Sequence, residues 1–172
     1  MVMEDYTTDI ADSARAVEKI LNYEFKSKRL LEAALTHSSC SDKTATYERL
    51  EWLGDSALGL SVSDFLFSGN RGFNPGQLSL LRIANTTNER LARVAVRCGL
   101  HRHFRHNVAV FDEKVNEFAL AVQDEVDSVV HGGQVKAPRV LADIVESLAG
   151  VVYVDCKSDL QAFWMVRSSV IL

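Results

Sequence analysis

At 172 residues the chain suits one domain with short appendages, and its apolar content of 47% supports a sizeable core. No apolar run is long enough to span a bilayer, and the acidic start Met-Val-Met-Glu-Asp-Tyr lacks the pattern of a signal or transit peptide, although a targeting segment already removed would leave the same picture. The formal charge of −4 weighs against a nucleic-acid partner, but acids are concentrated in the leader (Glu4, Asp5, Asp9, Asp12) and in the helix predicted from Asp112 to Asp127, and a carboxylate cluster is neutralised once it holds metal.

Cys40, Cys98 and Cys156 are odd in number and form no Cys-x-x-Cys. They read as reduced thiols of an intracellular protein, cytoplasmic or nuclear, and not as a zinc site.

Residues 1–13 read as an acidic leader and residues 14–172 as one domain. The spacing of apolar residues is helical almost throughout, so the expected fold class is all-α. A first helix is predicted over 14–21, with Val17, Ile20 and Leu21 on one face. Ser27 is placed to cap a second, through Leu30, Leu31, Ala34 and Leu35. Residues 47–67 form a long helix that is apolar on most sides, which predicts a central position. Phe73-Asn74-Pro75-Gly76 is a turn before a helix from Gln77 to Ala84. Thr86 and Glu89 have capping-box spacing and open a helix with Leu91, Val94 and Ala95, stopped at Gly99. Asp112 opens an amphipathic helix carrying Val115, Phe118, Val122 and Val126, ended by Gly132-Gly133. Pro138 stands at the start of an apolar helix running to Tyr153, and a terminal helix covers 158–168.

Two of these helices carry acids where acids are costly. Glu51 and Asp55, four apart, share a face of the long helix, with Glu48 one turn earlier. That face continues into Leu58 and Val62, which can only be core. Asp143 and Glu146, three apart, sit in Val140–Val152, which is apolar nearly all round, and no Lys or Arg occurs between Val140 and Val154. Buried carboxylates cost several kcal/mol unless paired or bound to metal. Gly150, on the same face, would let another backbone come close. Two readings remain open: each acid pair is a structural ion pair with a distant Arg, or all four acids form one site. Oxygen ligands without His or Cys suit a hard ion, Mg²⁺ or Mn²⁺.

Tyr47-Glu48-Arg49-Leu50-Glu51-Trp52-Leu53-Gly54-Asp55-Ser56-Ala57-Leu58 resembles the ribonuclease III signature. Leu31-Glu32-Ala33-Ala34-Leu35-Thr36-His37-Ser38-Ser39 resembles that family's Leu-Thr-His-Ser block, and Val140–Ser147 followed by Gly150 resembles its second acidic block. The resemblance spans residues 17–167. It implies a ribonuclease III endonuclease domain with Glu51, Asp55, Asp143 and Glu146 as metal ligands and catalytic acids, and Glu48 as an auxiliary acid. It further implies a homodimer that cuts double-stranded RNA with Mg²⁺ or Mn²⁺. The products expected on that basis have 5′-phosphate and 3′-hydroxyl ends and short 3′ overhangs. Trp52 replaces the usual Phe of the signature, an aromatic that enters a pocket of the partner subunit in the family. The same role is expected of Trp52, the alternative being plain core. The long stretch His101–Ala137, with Lys136-Ala137-Pro138-Arg139, is similar to plant ribonuclease-three-like proteins and to the second nuclease domain of Dicer proteins, which points to a plant source.

No double-stranded-RNA-binding domain is read within these residues, which leaves three readings open: the sequence is cut short, a natural form is short, or RNA affinity comes from dimerisation or an RNA-binding partner protein. The cluster His101-Arg102-His103-Phe104-Arg105-His106 matches no common zinc spacing and reads as a basic contact to phosphates or a solvated cap. Two other classes compete. An all-α nucleotide pyrophosphohydrolase also uses helical carboxylates with Mg²⁺, but its motifs lie closer in sequence than Glu51 and Asp143. A dimerising accessory subunit without activity would have no need of all four acids.

Overall fold

The computed structural model describes residues 10–40, 47–125 and 135–168, and among them the regular structure is helical, as expected. Helix α1 spans Ile10–Leu21, starting four residues before the predicted position and so taking in the end of the stretch read as leader. Ser13, Ala14, Val17 and Leu21 are buried, and Asp12 in the first turn suits the positive end of the helix dipole. Helix α2, Lys28–Ala34, is capped as expected: the Ser27 hydroxyl accepts from the Leu30 N–H at 3.3 Å.

Helix α3, Tyr47–Gly69, is about 34 Å long at 1.5 Å per residue. The expectation that it would occupy the centre needs correction. Tyr47, Leu50, Gly54, Ala57, Leu58, Ser61, Val62 and Leu66 form one buried face, while Trp52, Leu60 and Phe67 on the other side are exposed. The central element is α7, Arg139–Asp155, in which thirteen of seventeen residues are buried. Helix α3 lies along it.

Helix α4, Pro75–Thr86, begins inside the predicted turn, because Asn74 caps it reciprocally with Gln77 at 2.9 Å in both directions. None of its residues is buried. Helix α5, Asn88–Arg97, is capped by Thr87 through the Arg90 N–H, one residue later than expected. Glu89 is engaged elsewhere: it pairs with Arg93 and accepts from the Ala137 N–H at 3.1 Å. Gly99, at φ 74°, ends α5 in the left-handed conformation that glycine tolerates. A 3₁₀ turn, Leu100–His103, follows. Helix α6, Ala109–Asp124, starts three residues before Asp112 and buries Phe118, Ala119 and Val122; Val126 and Gly132-Gly133 lie outside the described residues. Helix α8, Leu160–Ser168, starts two residues late because Lys157 and Ser158 take positive φ values at a corner.

A buried carboxylate fastens the α1–α2 connection to the end of α7. Asp155 accepts from the Tyr23 hydroxyl at 2.8 Å and from the Lys26 and Ser27 N–H groups at 3.1 Å each. Burial raises its pKa, but these donors outweigh burial and hold the carboxyl below the ordinary value. Asp155→Ala would leave three donors unmatched, and a loss of about 3 kcal/mol is expected in urea unfolding. This depressed pKa stabilises the fold above the unfolded carboxyl's value, near pH 4, and the contribution disappears as pH falls through the folded value.

Candidate active site

Helices α3 and α7 cross almost backbone to backbone. A Cβ built on Gly54 would lie 1.7 Å from the Glu146 carbonyl oxygen, and one on Gly150 would lie 2.1 Å from the Leu50 carbonyl oxygen. The two glycines are therefore opposite halves of one crossing. The expectation that Gly150 admits another backbone holds, and Gly54 is its counterpart.

That crossing brings Glu51, Asp143 and Glu146 together, with one carboxylate oxygen of each within 4.8 Å of the others. Glu146 is buried at 7% exposure, and Glu51 and Asp143 are half-buried. Asp55, one turn beyond Glu51, is exposed and lies outside this group of three, yet its charge acts on Glu146. Glu48 lies one turn before Glu51, and its Oε2 is buried with no hydrogen-bond partner among the described residues.

The electrostatics follow from enclosure and like charge. Burial, then the charges of Asp55, Asp143 and Glu51, push the Glu146 carboxyl up to about 8. Burial and Asp143 raise Glu51, against the pull of Arg139; burial raises Asp143 against the same residue. Arg139 is the feature that sequence reasoning overlooked. The stretch Val140–Val154 holds no Lys or Arg, and Arg139 stands one residue ahead of it, four before Asp143. Its Nε lies 3.4 Å from Asp143 Oδ1 and its Nη2 lies 3.8 Å from Glu51 Oε1.

His37, known from sequence only as part of a motif, forms a wall near the acids. The Ser39 N–H donates to His37 Nδ1 at 3.0 Å, so the proton of the neutral ring resides on Nε2. Burial lowers its pKa although Glu48 pulls the other way. Tyr47, Phe104 and Phe111 pack around the ring. His101 and His103, both within the 3₁₀ turn, are partly buried, while Arg102 and Arg105 are exposed.

Trp52 is not core. It is 75% exposed and borders a groove of about 690 Å³ whose lining includes Arg29, Leu30, Glu48, Leu50 and Val154.

Fold and site together define an all-α domain with an oxygen-only acid group at a core helix crossing. The family model of the ribonuclease III domain matches residues 48–157. The chain is 54% identical over 156 residues to ribonuclease 3-like protein 2 of Arabidopsis thaliana, covering 90% of this chain and 40% of that protein. It is 49% identical over 166 residues to the protein of the same name in Oryza sativa subsp. japonica, covering 94% and 52%. With endoribonuclease Dicer homolog 1 of Arabidopsis thaliana the identity is 41% over 155 residues, covering 87% of this chain and 8% of that one. The nuclease domain of ribonuclease III from Campylobacter jejuni superimposes with a TM-score of 0.68 at 28% identity, over 90% of this chain and 94% of that one. The chain belongs to the ribonuclease III family, a family of endoribonucleases. It spans about half or less of the length of these plant relatives.

Proposed function

We propose that the chain is a metal-dependent endoribonuclease for double-stranded RNA, with Glu51, Asp55, Asp143 and Glu146 as metal ligands and catalytic acids. The observation that carries this reading is the convergence of Glu51, Asp143 and Glu146 within 4.8 Å in a ribonuclease III domain. The donors fit Mg²⁺ or Mn²⁺: all are oxygens, and their raised pKa values mark a site short of positive charge. When bound, such ions activate a water and stabilise the leaving oxygen of a phosphodiester. The residues themselves set the place: Glu146 offers the enclosed oxygen, Asp55 stands on the solvent side, and Glu48 adds an auxiliary charge. A duplex backbone would approach from the side of Asp55. Recognition then rests on A-form shape and 2′-hydroxyls and little on base sequence. Products with 5′-phosphate and 3′-hydroxyl ends and short 3′ overhangs are expected, and a partner protein or a second copy supplies further RNA affinity. Cys40, Cys98 and Cys156 are free thiols, which suits a reducing intracellular compartment. No described helix is long and apolar enough to cross a membrane. The direct test is incubation of a long RNA duplex with the protein and Mg²⁺, followed by sizing of both strands. Paired, offset cuts are expected; an intact duplex beside folded protein overturns the reading.

Metal should also register as stability. With Glu146 raised to about 8, the folded metal-free protein retains a proton that the unfolded chain gives up near its ordinary value of 4.5. Its contribution therefore makes stability fall as pH rises between those values. A divalent ion binds the ionised site of the folded state and offsets this loss. Millimolar Mn²⁺ should raise the melting temperature, more at pH 8.5 than at pH 6. An unchanged melting curve at neutral pH would count against the site.

Dimerisation is the second part of the reading. The Campylobacter jejuni domain has a region involved in dimer formation. Here the exposed Trp52 beside a groove gives one surface both a projection and a recess, the self-complementarity that a twofold dimer requires. Trp52→Ala should weaken the dimer by more than about 2 kcal/mol, as loss of a buried aromatic anchor does. Sedimentation at several concentrations checks it, and a monomeric wild type would sink it.

A further inference from the structure

Arg139 is the first residue of α7, one turn before Asp143. Helix stability does not account for its presence there. The dipole favours acids in a first turn, and α7 has none. A basic residue four positions ahead of its acidic partner is also the weaker orientation of such a pair. The contacts are loose by this protein's own standard. Arg93, 12% exposed, grips Glu125 with two bonds of 2.9 and 2.7 Å and Glu89 with a third of 2.8 Å. Arg139 is 76% exposed and reaches Asp143 at 3.4 Å and Glu51 at 3.8 Å. The first arrangement is fixed; the second is easily displaced.

What the position does explain is charge. Arg139 touches two of the three carboxylates that converge at the crossing, from the solvent side. We propose that Arg139 is the internal counter-cation of the metal-free site, bridging Glu51 and Asp143 until a divalent ion displaces it. The residue thereby lowers the site's affinity for metal and sets the concentration at which the site fills. This rests on the metal-site reading above. A guanidinium and a dication cannot share the same oxygens without repulsion. On metal entry the side chain has only to move further into the solvent that already surrounds most of it.

Calorimetric titration with MgCl₂ in the absence of RNA, at pH 9 and low salt, tests the proposal on wild type, Arg139→Gln and Arg139→Lys. Arg139→Gln should bind Mg²⁺ about three- to tenfold more tightly, the range expected when weak competing ion pairs are removed. Arg139→Lys keeps the charge and should stay close to wild type, and added salt should narrow the gap. Without metal at pH 9, Arg139→Gln should melt a few degrees below wild type and Arg139→Lys close to it, since loss of the counter-cation leaves Glu51 and Asp143 to repel each other. Saturable wild-type binding with no tighter binding by Arg139→Gln overturns the counter-cation alone, as does Arg139→Lys behaving like Arg139→Gln. A wild type that takes up no Mg²⁺ overturns the metal site and this proposal with it.

Discussion

Glu146→Gln should lower the cleavage of duplex RNA at least about 100-fold while the protein stays folded and keeps the oligomeric state of wild type. Gln keeps the shape and helix propensity of Glu and removes its charge. Arg139 pairs with Glu51 and Asp143, and no ion pair reaches Glu146 among the described residues. Nothing ionic is therefore broken. The carboxyl is already pushed up to about 8 by burial and by its acidic neighbours, so replacement relieves a cost at alkaline pH. The melting temperature of the metal-free variant should match or exceed that of wild type above pH 8. On the proposed role as a metal ligand, loss of the anionic oxygen should weaken metal binding and the stabilisation of charge at the phosphate, and losses of about 100- to 1,000-fold accompany removal of comparable groups elsewhere. Duplex binding in Ca²⁺ should stay near wild type or improve. A structural role for Glu146 predicts the opposite, lost stability with turnover per folded molecule intact. Melting and single-turnover cleavage on one preparation separate the two, and a folded, active variant refutes the assignment.

How much of this was legible beforehand depends on the kind of signal. The helices were readable because apolar periodicity is a property of single segments, and α3 and α7 stood out by carrying acids among apolar residues. That Glu51, Asp143 and Glu146 meet is a tertiary fact. The glycine at position 150 hinted at it, since a missing side chain on an acidic face suits a close crossing. The place of α3 was misjudged because exposed apolar residues such as Leu60 and Phe67 look in sequence like core. The cap of α5 slipped by one residue because Thr86 and Thr87 are chemically equivalent, and only backbone geometry chooses between them. Asp155 gave no signal: its partners Tyr23, Lys26 and Ser27 lie more than 120 residues away. Arg139 was overlooked because it stands one residue ahead of the apolar stretch that carries Asp143 and Glu146, and only its distances to the acids show its part in the site.

Gly54→Ala should destabilise the domain by more than about 4 kcal/mol, or prevent folding outright, although intrinsic propensity favours Ala over Gly in a helix by about 1 kcal/mol. Sign alone thus decides between local and tertiary control. The new methyl would meet the Glu146 carbonyl oxygen at 1.7 Å, its carbon at 2.7 Å and the Gly150 nitrogen at 2.7 Å. All three are backbone atoms inside a helix, so no rotamer change can clear them and α3 must move away from α7. Such a loss corresponds to a fall of roughly 8–16 °C in melting temperature for a chain of this size. Gly59→Ala is the control in the same helix: the nearest atom to its Cβ would be Arg82 Nη1 at 4.0 Å. That variant should be neutral or slightly stabilised. Separation of the helices would also draw Glu51 away from Asp143 and Glu146, so any folded remnant of Gly54→Ala should show little stabilisation by Mn²⁺. A Gly54→Ala protein that melts with Gly59→Ala and keeps its response to Mn²⁺ would mean that the close crossing is not what assembles the site.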